Sequence, residues 1–213
     1  MSEERRLIPL ETVENEILVV NSRFIASLAP AHSVEEARGF IGEVKRRYPD
    51  ATHHVPAFVI GHGKSLITHC TDDGEPSGTA GKPALAVLQG SGLGNVVVVV
   101  TRYFGGTKLG TGGLVKAYGD AVREILPIVK RAELVATVTL AFTLPYRLYE
   151  LCARLIESHH GKVLEKTFGA EVDLVVQFKQ VEEQDFRADL VELTKGQVEI
   201  LEFGRDAETV FPI

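Results

Sequence analysis

The chain has 213 residues, 45% of them hydrophobic and 24% charged, which is the composition of a globular protein with one large or two small domains. No apolar run reaches the roughly 18 residues of a membrane-spanning helix, and no apolar segment follows the charged N-terminus as in a signal peptide. The two cysteines, Cys70 and Cys152, lie far apart in sequence, which favours a reduced, cytoplasmic chain.

The net charge of −6 is distributed unevenly along the chain. Residues 1–131 contain 15 basic and 14 acidic residues and carry +1, whereas residues 132–213 contain 8 basic and 15 acidic residues and carry −7. A polyanion would therefore bind to the first half, because the second half would repel it. The chain as a whole lacks the strongly basic balance of a dedicated nucleic-acid-binding protein.

The first half has the pattern of an α+β domain. Strands are predicted over 16–20 and 23–29, separated by Asn21 and Ser22. A capping box formed by Ser33 and Glu36 then predicts a helix that ends before Pro49. The further predicted elements are strands over 54–60 and 65–71, a short helix over 82–89, a strand over 96–100 and a helix that ends near Arg123.

The second half has the order β-α-β-β-α-β, which is typical of a ferredoxin-like domain. Gly161 and Gly196 follow its two predicted helices, as glycines at helix ends commonly do. Residues 127–132 are predicted as a linker, so the two domains are expected to comprise residues 1–131 and 132–213. The predicted elements are strands over 133–143, 163–168, 171–179 and 198–203 and helices over 146–159 and 183–195.

The stretch from Asp72 to Tyr118 contains the residues with the most distinctive chemistry. It consists of DDGEPSGTAGKP, a short helix, a valine run and then TRYFGGTKLGTGGLVKAY. The valine run shows no alternation, which indicates a strand buried on both faces. A strand that continues through a glycine-rich loop into a helix presents backbone N–H groups at the helix N-terminus, and these groups favour an anion.

The second glycine-rich segment, GGTKLGTGG, matches neither the Walker A spacing nor GxGxxG. One interpretation is a phosphate-binding site in which Lys108, Arg102 and Lys116 supply positive charge. The alternative is that the glycines only permit a tight, closely packed turn. Five glycines in nine residues exceed the need of one turn; they are Gly105, Gly106, Gly110, Gly112 and Gly113.

The first glycine-rich segment carries three acids, Asp72, Asp73 and Glu75. Neighbouring carboxylates can bind a divalent cation or act as acid and base. The spacing is not that of an EF-hand, and the proline and glycines favour a structural turn. Ser77 and Thr79 are candidates to cap the helix that follows, and Lys82 is a candidate partner for these acids or for a phosphate.

Histidines near the first segment form a further candidate site. If the strands over 54–60 and 65–71 pair across Gly61–Gly63, His53 or His54 would lie near His69 and Cys70, a set suited to zinc or to a Cys/His pair. The sequence has no CxxC or HxxxH there, and adjacent histidines in a strand point to opposite faces. A polar patch is therefore the favoured interpretation, and no metal or other cofactor is predicted.

The two motifs DDGEPSGTAGKP and VTRYFGGTKLGTGGLVKAY resemble the signature of the IMPACT/YigZ family at full length and in order. The second half resembles the small C-terminal domain of the bacterial two-domain members. The resemblance implies a first domain folded like certain ribosomal proteins, a domain of elongation factor G and small-molecule kinases. The second domain would then resemble the ferredoxin-like last domain of that factor.

The resemblance also implies a role in translation, because the eukaryotic members bind a large activator of a stress kinase. It implies no established enzymatic activity. The residues that match the family signature are Arg23, His53, Asp72, Asp73, Glu75, Gly78, Thr79, Gly81, Pro83, Arg102, Tyr103, Phe104, Gly105, Gly106, Gly110, Gly112, Gly113 and Tyr118.

The favoured hypothesis is a non-enzymatic, translation-associated regulator whose first domain binds RNA, the ribosome or a translation-related protein, with no membrane contact and no DNA sequence specificity. Tyr103 and Phe104 would offer stacking surfaces. Two alternatives remain open: an enzyme for a phosphorylated small molecule or nucleotide, whose acids hold magnesium or act as a base, and a protein-interaction module. The predicted anion-binding or nucleic-acid-binding residues are Arg23, His53, Asp72, Asp73, Glu75, Thr79, Lys82, Arg102, Tyr103, Gly105, Gly106, Lys108, Gly110, Gly112, Gly113 and Lys116.

Overall fold

The computed structural model describes residues 5–63 and 65–212 of the chain. Residues 1–4, which entered the argument against a signal peptide, lie outside the described residues. The chain forms two compact units, of which the first extends to Glu133 and the second comprises Leu134–Phe211. No helix among the described residues is long and apolar enough to cross a membrane.

The first unit is built on a five-stranded antiparallel sheet in the order β2-β3-β6-β4-β5. A short 3₁₀ turn over Leu126–Ile128 follows its last helix. The elements of this unit, in chain order, are β1 (Leu7–Pro9), β2 (Val13–Val19), β3 (Ser22–Pro30), α1 (Val34–Arg47), β4 (His53–Ile60), β5 (Ile67–Cys70), α2 (Gly81–Gly90), β6 (Val96–Tyr103) and α3 (Gly110–Ile125).

The valine run lies in β6, the central strand of this sheet, and all five valines are fully buried. On one face, Val98 packs in a core with Leu88 of α2 and Tyr118 of α3. On the other face, Val97 packs with Ala37 of α1. The prediction of a strand buried on both faces is therefore confirmed, and α2 and α3 lie on the face opposite α1.

The beginning of the chain and the predicted linker differ from the sequence-based expectation. A three-residue strand, β1, was not predicted, and its Leu7 and Pro9 pair with Glu133 and Arg131. Strand β7 therefore begins at Arg131, within the segment that was predicted to be a linker. The pairing with β1 explains this early start of β7. The three residues of β1 are too few to predict a strand or its partner from the sequence.

The second unit contains two helices and the strand order β10-β7-β9-β8, in which β7, β9 and β8 are antiparallel, in a sheet whose fifth strand is β1, so the ferredoxin-like prediction is confirmed. Strand β10 is 13 residues long, much longer than the predicted 198–203, and pairs with the 14-residue β7. The elements are β7 (Arg131–Leu144), α4 (Tyr146–Ser158), β8 (Lys162–Phe168), β9 (Val172–Lys179), a 3₁₀ turn (Gln180–Glu182), α5 (Glu183–Thr194) and β10 (Ile200–Pro212).

The two cysteines are free thiols that lie in different units. Cys152 is fully buried in the core of the second unit beside Ile156 and Phe186, and burial raises the pKa of its thiol to about 12. Cys70 ends β5 in the first unit, and burial together with the negative charge of Asp72 raises the pKa of its thiol. Raised pKa values keep both sulfurs in the thiol form, which reacts poorly.

Candidate functional site

The first glycine-rich segment folds around the side chain of Asp72. One carboxylate oxygen accepts hydrogen bonds from the backbone N–H groups of Ala80 (3.1 Å) and Gly81 (2.9 Å), and the other accepts one from Gly78 (2.8 Å). Burial by itself raises the pKa of Asp72, but these three hydrogen bonds and the charge of Lys82 outweigh it and lower the pKa. Asp72 is therefore the anion that caps the N-terminus of α2.

The expectation that Ser77 or Thr79 caps α2 is wrong. Thr79 Oγ1 donates a hydrogen bond to the carbonyl of Pro76 at 2.7 Å, and Ser77 is exposed. Asp72 takes the capping role although it lies nine residues before the helix, because the loop returns to it. Spacing alone favours the nearby hydroxyls, since most helix caps are local.

Glu75 extends from the same loop into the core of the first unit. Its Oε1 accepts hydrogen bonds from Arg102 Nη1 at 2.5 Å and from the hydroxyl of Tyr118 at 2.7 Å. Glu75 and Arg102 are 8% and 5% exposed, so the ion pair is almost completely buried. The pair joins the first glycine-rich segment to the end of β6 and to α3.

Tyr118 was named among the residues that match the family signature, and no partner was predicted for its hydroxyl. Burial, together with the neighbouring Glu75 carboxylate, raises the pKa of its hydroxyl, so the hydroxyl stays protonated and donates. The sequence does indicate that Tyr118 has a hydrogen-bond partner, because a tyrosine at a buried helical position usually needs one for its hydroxyl. That signal does not identify which residue the partner is.

His53 lies beside the buried ion pair. Its Nδ1 is 2.8 Å from the carbonyl oxygen of Asp73, and since a carbonyl can only accept, Nδ1 carries the proton. Its Nε2 is 3.8 Å from Glu75 Oε1. His53, Asp73 and Glu75 therefore lie together, in a contact between β4 and the first glycine-rich segment.

The three acids of this segment do not converge on a common point. Asp73 accepts a hydrogen bond from the backbone N–H of His54 (2.7 Å) and pairs with Lys45 (3.0 Å). The oxygens of Asp72 are occupied by backbone N–H groups, and Glu75 is buried against Arg102. Within the described residues, no three His, Cys, Asp or Glu side chains are placed to hold a metal ion. The magnesium interpretation therefore has no geometric support.

The histidines and Cys70 are not brought together either. Strands β4 and β5 pair across the turn at 61–63 as expected, but the register places Cys70 opposite Ala57 and His69 opposite Phe58. His54 lies three residues before Ala57 in β4, which places it about 10 Å along the strand from the position opposite Cys70. Within the described part of the chain, the hairpin therefore does not bring together the residues predicted for a zinc or Cys/His site.

Most of the predicted cations are already paired with acids. Arg23 binds Glu16 at 2.7 Å and Lys116 binds Asp120 at 2.6 Å, both at the surface. Arg102 is buried, so it does not supply charge to a phosphate at the surface. The predicted cations that are exposed and make no ion pair within the described part of the chain are Lys82 and Lys108.

Helix α3 begins at Gly110 without a side-chain cap. The residue before it is Leu109, which makes no capping hydrogen bond, and the first turn contains no acidic residue. The exposed Lys108 lies two residues before the helix, and Gly110 and Gly112 are exposed in its first turn. The N–H groups of the first turn and the helix dipole give this end a positive potential. It differs in this respect from α2, whose N-terminus is capped by Asp72.

Backbone conformation or close packing favours a glycine at four of the five glycine positions of the second segment. Gly106 and Gly110 have φ angles of +83° and +72°, in the left-handed region. A Cβ atom on Gly105 would lie 1.8 Å from the backbone oxygen of Asn21, and one on Gly113 would lie 3.0 Å from a side chain in the preceding turn. The tight-turn interpretation therefore accounts for these four glycines.

Gly112 is the exception among these glycines. A Cβ atom there would meet nothing within 4 Å, and the backbone of Gly112 is not left-handed. Neither packing nor backbone conformation of the first unit therefore requires a glycine at this exposed position. A ligand that approaches the backbone of the first turn of α3 would require one.

The two predicted stacking residues lie on opposite sides of the sheet. Arg23 lies over the Tyr103 ring at 5.2 Å from its centroid, on the face where these two residues are cross-strand neighbours. The guanidinium carbon of Arg102 lies 5.4 Å from the centroids of both Phe24, in the core beneath α3, and Phe104. A single nucleic-acid strand therefore cannot use both rings at one point.

These features define a class of two-domain protein: an α+β domain in which a buried carboxylate of the first glycine-rich segment binds the strand and the helix that flank the second segment, followed by a ferredoxin-like domain. Residues 20–126 match the Impact N-terminal domain, and residues 142–197 match a domain of unknown function, DUF1949. The chain belongs to the IMPACT family, as the resemblance of its two motifs predicted.

Relatives of known sequence and structure cover nearly the whole chain. An IMPACT family member from Haemophilus influenzae is 37% identical over 201 residues, which cover 93% of this chain and 98% of the relative. The IMPACT family member YigZ from Escherichia coli is 39% identical with the same coverage. A crystal structure of a hypothetical protein is 38% identical, with a TM-score of 0.60, and covers 94% of this chain and 98% of its own.

Proposed function

We propose that the chain is a translation-associated regulator whose first domain binds RNA at the first turn of α3. Membership of the IMPACT family supports the association with translation, since the resemblance implies that role. The observation that carries the binding site is the uncapped N-terminus of α3, flanked by the exposed Lys108 and containing the unconstrained Gly112.

The proposed contact is between a phosphate group and the first turn of α3. Backbone N–H groups at a helix N-terminus donate to phosphate oxygens, and the helix dipole adds to the attraction. Lys108 supplies a point charge next to these donors. The absence of a Cβ atom at Gly112 lets the phosphate approach the backbone closely. Since Lys82 and Lys108 are the predicted cations that make no ion pair within the described residues, we expect the salt dependence of only one or two phosphate contacts.

Substitution of Lys108 by alanine tests the charge at this site. We expect Lys108→Ala to weaken RNA binding and to reduce the slope of log K against log salt by about one. Arg38→Ala is the matched control, because Arg38 is exposed on α1, on the opposite face of the sheet. Fluorescence anisotropy with labelled RNA at several salt concentrations measures both affinity and slope.

Substitution of Gly112 by alanine tests the close approach to the backbone. We expect Gly112→Ala to stabilise α3 by about 0.5 kcal/mol, since alanine favours the helix, and at the same time to weaken RNA binding. Gly39→Ala in α1 is the control, because a Cβ there also meets nothing within 4 Å. Wild-type affinity in both Gly112→Ala and Lys108→Ala would show that RNA does not bind at this turn.

A pull-down from native lysate, with and without nuclease, tests the same proposal in a cellular mixture. We expect RNA or ribosomal subunits to be captured and to be lost after nuclease treatment. Capture of a protein partner that survives nuclease, with no RNA, would contradict the proposal and identify a protein-interaction module.

A further inference from the structure

We infer that the RNA is single-stranded and that one of its bases stacks on the exposed face of Phe104; this inference rests on the proposed RNA-binding function. Phe104 is 45% exposed although it lies only two residues after the buried part of β6, which ends at Arg102. Phe104 stands at the start of the loop that leads to the first turn of α3, where the proposed phosphate contact lies.

The inner side of the Phe104 ring is supported by a fixed cation. The guanidinium carbon of Arg102 is 5.4 Å from the ring centroid, and Arg102 is itself held by Glu75 at 2.5 Å. Arg102 also lies 3.4 Å from the hydroxyl of Ser22. The ring therefore rests on a buried, hydrogen-bonded cation, while the residue as a whole stays 45% exposed.

The backbone at Phe104 is fixed from both sides. Its N–H donates a hydrogen bond to Thr52 Oγ1 at 3.1 Å, and the N–H of Gly105 donates one to Ser22 Oγ at 3.2 Å. Gly105 also packs so closely against Asn21 that a side chain would not fit. A ring that is already ordered loses little conformational entropy when a base stacks on it.

An exposed aromatic ring selects single strands over duplexes. The bases of an RNA duplex are stacked on one another, and the deep major groove hides them from side chains. The unstacked bases of a single strand are free to stack on an aromatic ring, whichever base is present. We therefore expect binding of single-stranded RNA with little sequence preference.

One strand is able to reach both the ring and the helix. Phe104 and Gly110 are six residues apart, so their Cα atoms are separated by at most about 20 Å. A short oligonucleotide covers this distance, with a base on Phe104 and a phosphate at the first turn of α3. Tyr103 does not take part, because Arg23 lies over its ring on the other face of the sheet.

The chain contains no tryptophan, so Phe104→Trp introduces a single tryptophan, whose emission can be excited selectively, at the proposed stacking position. We expect its emission to be quenched on addition of a single-stranded RNA of about ten nucleotides, a length within the usual site sizes. Tyr103→Trp, one residue earlier and on the opposite face, is the matched control and should not be quenched.

Affinity measurements on the full chain complete the test. We expect Phe104→Ala to lower the affinity for the single strand by about 5- to 150-fold, the usual effect of losing one stacked base, and to leave duplex binding unchanged. The Phe104→Trp variant keeps an aromatic ring, so it still reports on stacking if the alanine variant proves unstable.

The possible failures are distinguishable. Equal binding of single-stranded and duplex RNA, with no quenching at Phe104→Trp and no loss in Phe104→Ala, overturns the stacking inference; a retained effect of Lys108→Ala would then leave the proposed function intact. No binding of either RNA by the wild-type chain overturns both.

Discussion

Replacing Glu75 by glutamine removes one buried negative charge while keeping the shape of the side chain. In the wild-type protein, Glu75 Oε1 accepts hydrogen bonds from Arg102 at 2.5 Å and from Tyr118 at 2.7 Å. Arg102 is only 5% exposed, and its Nε has no partner within the described residues. The substitution therefore leaves a buried guanidinium without a counter-charge.

The expected loss of stability follows from this geometry. Removing one partner of a buried ion pair destabilises a protein by about 3–5 kcal/mol, because the remaining charge stays buried. We expect Glu75→Gln to lie at the lower end, about 3 kcal/mol, since the amide oxygen can still accept one hydrogen bond from Tyr118 or Arg102. The loss should be confined to the first unit, where all three residues lie.

Native-state hydrogen exchange of the peptide that covers β6 measures the stability of the first unit separately. A measurement on one peptide is needed because the two units need not unfold together, so that a single unfolding curve of the whole chain would not report on the first unit alone. Glu16→Gln is the control, since it breaks the exposed pair with Arg23 at 2.7 Å. Its effect should be far smaller, because solvent screens an exposed pair. Equal losses of stability in Glu75→Gln and Glu16→Gln would refute the reasoning.

Three further substitutions test the loops and one helix end. Asp72→Asn should destabilise the first unit by about 1 kcal/mol at neutral pH by weakening the cap of α2. The pKa of Asp72 is lowered in the folded state. The stabilising contribution of Asp72 to folding is therefore complete above the ordinary aspartate pKa and is lost as the pH falls through the lowered pKa of the folded state. The stabilities of wild type and variant, measured by urea titration, should therefore approach each other below pH ~4. Gly105→Ala should lower the thermal midpoint, at a cost of at least about 1 kcal/mol, because the added Cβ would lie 1.8 Å from the oxygen of Asn21; an unchanged midpoint would contradict this. Lys195→Gly should stabilise the second unit by about 0.5 kcal/mol in denaturant titrations, because Lys195 ends α5 with a left-handed φ of +52°.

The helices and most strands were predictable because their signals are local. The valine run of β6 and the alternating Val172, Leu174, Val176 and Phe178 of β9 all pack as their periods indicate. Ser33 caps α1 as predicted, with Glu36 N–H donating to Ser33 Oγ at 3.1 Å, although the Glu36 carboxylate accepts from His32 N–H at 2.8 Å rather than from Ser33 N–H. The extension of β10 and the pairing of β1 were missed because both depend on contacts with distant residues.

The polar residues of the candidate site were identified as a group, but their partners were not. Glu75 and Arg102 are 27 residues apart, and Glu75 and Tyr118 are 43 residues apart. Nothing in local spacing links them. The sequence therefore indicates which polar and charged side chains need a partner, while the tertiary fold decides whether that partner is another side chain or a ligand.

The two helix N-termini show how this distinction bears on function. Both α2 and α3 follow a glycine-rich segment, and both present N–H groups that favour an anion. At α2 the chain provides that anion itself, through three hydrogen bonds to Asp72. At α3 no side chain of the described residues caps the helix, and the exposed, positive Lys108 lies two residues before it. A phosphate at α2 would have to displace an internal carboxylate, whereas at α3 no such carboxylate caps the first turn, so the contrast between the two helices favours α3 as the proposed binding position.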